Sequence, residues 1–163
     1  MLLNDLQINS ILEFWFPNEN YNKFWFDKSC DIIIYEQYYN LLNETFKNIS
    51  TIDKLEDLEY RELLAIIILF DQFSRNINRT IEININDYTI QAKNLSMICI
   101  NKKYYLDKKM NHICFILMPL RHLNKLSDYY LILEILNEII DNKNDIFNKF
   151  KNETIRKLEL LKN

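Results

Sequence analysis

The chain has no glycine, and only two prolines and three cysteines in 163 residues. Without glycine no glycine-rich phosphate loop can form, which excludes nucleotide binding by that route. Turns that need a left-handed backbone must use the next most tolerant residues, asparagine and aspartate. Asn, Ile, Lys and Tyr abound while Gly, Ala, Pro and Arg are scarce, the codon imprint of a low-GC genome. Cys30, Cys99 and Cys114 are widely spaced, odd in number and part of no CxxC or Cys/His cluster. That pattern argues against a disulfide framework or a zinc site and for small buried thiols in a reducing cytosol. No apolar run approaches the roughly 18–20 residues of a membrane span. The N-terminal MLLNDLQINS has no basic stretch ahead of an apolar one, so no secretion signal is expected. A net charge of -3 and a pI near 5.5 lack the basic excess of a nucleic-acid binder. The expectation is a cytoplasmic protein with no membrane, nucleic-acid, metal or cofactor partner.

What is present is helical periodicity. The apolar fraction of 48% and charged fraction of 26% are ordinary for a globular chain, and the length suits a single domain over residues 1–163. Ile11–Phe16 reads as a short amphipathic piece stopped by Pro17, and a helix should start near Ser29 as N-cap and carry Ile34, Tyr38, Leu41, Leu42, Phe46 and Ile49. Another should begin near Asp57 and run through LLAIIILFDQF, whose flanking Glu, Leu and Ala favour helix over strand. TIEININ alternates like a strand but has no evident partner. Helical spacing resumes at Ile90–Cys99 and Met110–Leu117, where Pro119 should interrupt or kink the helix. Leu126–Ile140 and a segment around Phe147–Leu161 complete the pattern. The fold class is all-α: six or seven stacked antiparallel helices.

Three groups of residues could carry chemistry. On a helix, Asp71 and Arg75 share one face, Gln72 and Asn76 another, and Arg79 extends the first row. Such a pair is ordinarily a surface ion pair at a helix end, worth about 0.2–0.5 kcal/mol. It can also be a polar group delivered to a site, where arginines one turn apart could clamp an anion. His122, three residues beyond Pro119 in MPLRH, would be the natural acid or base, although a lone histidine near a kink is more often structural. Trp15 and Trp25, the only tryptophans, belong by size in a core but could also wall a pocket.

EFWF at Glu13–Phe16, WF at Trp25–Phe26, LLAIIILFDQFSRN at Leu63–Asn76 and MPLRH at Met118–His122 resemble the signature blocks of a known family. It is the domain-of-unknown-function family numbered 924, assigned to the tetratricopeptide-repeat-like helical superfamily. The likeness covers roughly Ile11 to Tyr130 and implies an all-helical, tetratricopeptide-repeat-like fold without an established activity. It places the family's polar positions on Asp71, Gln72, Arg75, Asn76, Arg79 and His122, and its aromatic ones on Trp15 and Trp25. Two departures stand out. The family continues M-P-L-x-H with Ser-Glu-Asp, where this chain has Leu123, Asn124 and Lys125. Its usual R-F-P-H-R-N-like end has no counterpart in residues 144–163. The likeness therefore implies a divergent, C-terminally reduced member, as a viral or parasite copy could be. Two functions follow. One is a binding module whose pocket, with Asp71, Arg75, Asn76 and His122, recognises a partner protein, a peptide or an anionic small ligand. The other is an enzyme, a hydrolase or transferase of a phosphate- or carboxylate-bearing molecule. In it His122 and Asp71 would be catalytic, and Gln72, Arg75, Asn76, Arg79, Trp15 and Trp25 would bind the ligand.

Overall fold

The computed structural model describes residues 2–139 and 143–162, and among these residues no strand occurs. Seven helices follow one another among the described residues. They are α1 (Asp5–Trp15), α2 (Asp31–Asn48), α3, α4 (Ile85–Asn101), α5 (Met110–His122), α6 (Leu126–Glu138) and α7 (Asp145–Lys162). Helix α3 is a rod of three joined parts: α-helical Tyr60–Ile67, a π-helical turn Ile68–Phe73, and α-helical Ser74–Asn78. The backbone stays right-handed at both joints, Ile68 (φ −61, ψ −46) and Ser74 (φ −57, ψ −39). Short 3₁₀ turns, among them Lys23–Phe26 between α1 and α2, fill the connections.

Local chemistry moves several expected boundaries. Helix α1 starts well before Ile11, because Asn4 and Gln7 form a reciprocal capping box at 2.9–3.0 Å. Ser29 is not the N-cap of α2. Its backbone N–H donates to Asp27 Oδ1 at 2.8 Å, and Cys30 takes the cap position without a side-chain bond. Pro119 does not interrupt α5, which continues through it to His122. TIEININ forms no strand; Ile85 within it opens α4. Helix α6 ends at Glu138, and Ile140, expected as its end, lies outside the described residues. Two residues adopt a left-handed backbone without glycine, Asn124 (φ 53) as the composition predicts and Lys103 (φ 54) against it.

Helix α3 is the axis of the domain. Every residue from Leu63 to Phe73 is at most 6% exposed, the signature of a helix covered on all sides. Helices α1, α2, α4 and α5 pack around it, and α6 and α7 close the far end against α5. Buried polar ties fix these contacts. Asp31 at the start of α2 accepts from Asn76 Nδ2 at 2.9 Å and from Arg79 Nε and Nη2 at 2.7 and 2.6 Å. Asp31→Ala leaves the buried Asn76 amide without its acceptor and should destabilise by about 1–3 kcal/mol in urea unfolding. Arg79→Ala should cost less, since Arg79 reaches solvent and Asn76 keeps its bond.

His112 is a structural histidine. Its ring lies 4.5 Å from that of Phe16, and Nδ1 shares a 3.0 Å hydrogen bond with Tyr60 Oη. Burial, helped by Lys109 and Arg61, lowers its pKa to about 4. The unfolded chain, with a histidine near 6.5, therefore binds the extra proton first as pH falls. Stability should be unaffected above about pH 6.5 and decline between 6.5 and 4, by on the order of 2 kcal/mol after allowing for its partial exposure. Denaturant midpoints of the parent and of His112→Gln across that range check the slope, which the variant should flatten.

Candidate functional site

A π turn closes its hydrogen bonds one residue further along the chain than an α turn and so re-aims the side chains it carries. On α3 this turn carries Asp71 and Gln72. Asp71 is fully buried, so it is not part of a surface ion pair. Its two oxygens lie 2.8 and 3.0 Å from His122 Nδ1. Gln72 Nε2 donates at 2.5 Å and Arg75 Nη2 at 3.4 Å. Burial alone would push this carboxyl up, but the His122 contact, Arg75 and Gln72 outweigh it, and the group is held below the usual carboxylate range. His122 is the last residue of α5, which brings the imidazole over the π turn. Burial lowers its pKa against the pull of Asp71, with Arg75 and Arg121 adding to the fall. A neutral ring that donates Nδ1–H to Asp71 would present Nε2 as an acceptor.

His122 also lines a cavity of about 470 Å³ between the 3₁₀ segment after α1, helix α5 and helix α7. Its apolar wall includes Tyr21, Trp25, Phe115, Met118, Ile146 and Phe150. Its polar lining is Arg121, Lys149, Glu153 and Lys157 beside His122. Cys114 lines it too, but burial pushes that thiol up to about 12, so it is no nucleophile at neutral pH. Among the described residues, no three His, Cys, Asp or Glu groups could jointly hold a metal ion.

The residues expected from the sequence divide into three sets. Asp71, Gln72, Arg75 and His122 form one network, which Arg75 extends to Thr89 Oγ1 on α4 at 2.9 Å. Asn76 and Arg79 turn instead to Asp31, so Arg75 and Arg79 serve two different carboxylates and do not form a joint clamp. Trp15 is wholly buried and packs on Phe73 and Phe115 with ring centroids 5.5 Å away. Trp25 donates Nε1–H to the Trp15 carbonyl at 2.7 Å and reaches the cavity with its ring. Of the expected residues, His122 and Trp25 line the cavity; the others stand behind or beyond its wall.

Sequence reasoning missed Arg121 and the α7 residues Lys149, Phe150, Glu153 and Lys157. A signal did exist for the latter. Ile146, Phe150, Glu153 and Lys157 follow one another at spacings of three and four, a single stripe along α7. For Arg121 the signal was an arginine set directly after the apolar run from Ile113 to Leu120.

Among the described residues no helix is long and apolar enough to cross a membrane. No curated protein and no solved structure matches the chain. A family model described as "Bacterial protein of unknown function (DUF924)" does match, over residues 11–160, from within α1 almost to the end of α7. With nearly its whole length inside that match, the chain belongs to this family of bacterial proteins of unknown function.

Proposed function

We propose that the protein binds a small molecule in the cavity between α5 and α7 and presents the His122 imidazole to it as acid or base. One observation carries this reading: the imidazole is oriented from behind by a buried carboxylate while the same ring lines the cavity. Such an arrangement sets the tautomer and leaves Nε2 to accept a proton or hydrogen bond from whatever fills the space. Asp71 acts through His122, and Gln72 and Arg75 hold Asp71; these are positioning residues. A cavity of about 470 Å³ suits a metabolite-sized ligand better than a peptide. If a reaction follows binding, Nε2 suits proton transfer or activation of water, and the Cys114 thiol takes no part as nucleophile. The stacked helical hairpins support a tetratricopeptide-repeat-like placement of the fold, and three unbridged cysteines support a reducing, cytoplasmic setting.

The dyad is tested by nitrogen NMR of His122. The Asp71 carboxylate favours the charged imidazole, so Asp71→Asn should shift the titration of His122 to lower pH. An unchanged titration would mean that the two groups do not act together. Binding is tested by thermal shift with a panel of small aromatic acids, amides and amines. A compound present at about 100 times its Kd adds about 2.7 kcal/mol, or roughly 5–10 °C for a chain of this length. His122→Gln should lose much of that shift while Arg79→Ala, which lies with Asp31, keeps it. Loss in Arg79→Ala with retention in His122→Gln would move the site to the Asp31 cluster.

A further inference from the structure

Arg121 is only 6% exposed, yet two of its three nitrogens, Nε and Nη1, have no hydrogen-bond partner among the described residues. The third, Nη2, points at Met118 Sδ, 2.7 Å away, and a thioether is a weak acceptor. The guanidinium carbon sits 4.5 Å over the Phe150 ring, a cation–π contact. A buried cation with unused N–H donors is among the costlier arrangements in a protein interior. Among the described residues no carboxylate hydrogen-bonds to the guanidinium, although Glu153 and Asp71 favour its charge through space. Asp71 is occupied by His122, Gln72 and Arg75. Glu153 accepts two hydrogen bonds from Arg156, at 2.8 and 2.7 Å. Arg121 lines the cavity, but Nε and Nη1 are closed to solvent, so an acceptor entering there meets them only after a turn of the guanidinium.

We infer that the cavity selects small organic carboxylates with an apolar, aromatic-sized body, and that the Arg121 guanidinium binds the carboxylate. This rests on the reading of the cavity as a small-molecule site and names the class of molecule that site takes. The rest of the lining agrees. Trp25, Phe115, Ile146 and Phe150 offer an apolar surface for the body of the ligand. The lining sets Arg121, Lys149 and Lys157 against Glu153, so its charge favours an anion. Lys149 is engaged by Asp145 at 2.8 Å and lies over the Tyr21 ring, which leaves Lys157 as the second cation. Glu153 shares the same lining and would repel a phosphate dianion more than a carboxylate. Arginine suits a planar carboxylate through paired N–H donors, and a ligand there would lie beside His122, the next residue in the chain.

The test uses calorimetry with phenylacetate, its neutral isostere phenylacetamide, and phenyl phosphate, on the parent, Arg121→Met, Arg121→Lys and His122→Gln. Phenylacetate should bind the parent at least about tenfold more tightly than phenylacetamide, as a charge-assisted bond requires. Arg121→Met should weaken phenylacetate by about ten- to hundredfold and leave phenylacetamide unchanged. Without ligand, Arg121→Met should melt at or above the parent, because it removes a buried unpaired charge while keeping length and contact with Phe150. His122→Gln should keep the preference for the acid over the amide. Equal binding of acid and amide, with both displacing the other, would overturn the inference and leave the small-molecule site standing. Failure of all three probes to bind would sink both. Tighter binding of phenyl phosphate than of phenylacetate would overturn the choice of carboxylate. If Arg121→Met melts far below the parent, Arg121→Lys decides, since it keeps the cation. Equal affinity for acid and amide in that variant would then mark Arg121 as structural and end the proposal.

Discussion

The carboxylate of Asp71 is a charge placed in the most apolar helix of the molecule, and much of the surrounding structure exists in a form that satisfies it. A buried carboxylate is tolerable only with several donors around it. Those donors come from its own helix through Gln72 and Arg75 and from α5 through His122. Arg75 in turn reaches Thr89, so the same group ties α4 to α3. The π turn is what lets a helix buried on every side aim polar groups toward α5 without leaving the core.

The other buried carboxylates obey the same rule. Asp31 is met by Asn76 and Arg79, Asp128 by Lys93 Nζ at 2.6 Å, and Glu62 by the backbone N–H groups of Leu2 and Leu3. Each joins segments far apart in the chain, which is how a domain without glycine and nearly without proline fixes the mutual placement of its helices. Against that background of paired anions, one buried cation stands apart. Arg121 has its charge in the interior and most of its donors unused, at the edge of the one wall that also holds the dyad histidine.

The division between legible and illegible features follows interaction range. Helix existence was legible because apolar residues recur at helical spacing in each segment. Helix ends were less so, because a cap depends on single hydrogen bonds: Asn4 with Gln7 lengthened α1, and Ser29 bonded to Asp27 in place of capping α2. The i, i+4 pairing of Asp71 with Arg75 could be read from spacing, but Arg79 could not be placed, since its partner Asp31 lies 48 residues away. Arg121 could not be placed either, since Phe150, the ring beneath its guanidinium, belongs to another helix.

Local patterning was enough for the all-helical class and the buried central helix, and it marked the polar groups at that helix's end and His122 as candidates. These depend on local periodicity and on residue types whose chemistry does not change with context. Which charges pair and which remain free depends on how the helices pack. Contact between α5 and α7 creates the cavity, stacks Arg121 on Phe150, and brings Lys157 and Glu153 to the same wall. The physical reason is that desolvation and pairing are properties of surroundings: Asp71, Asp31 and Arg121 differ in burial and partners in ways that no local window of residues contains.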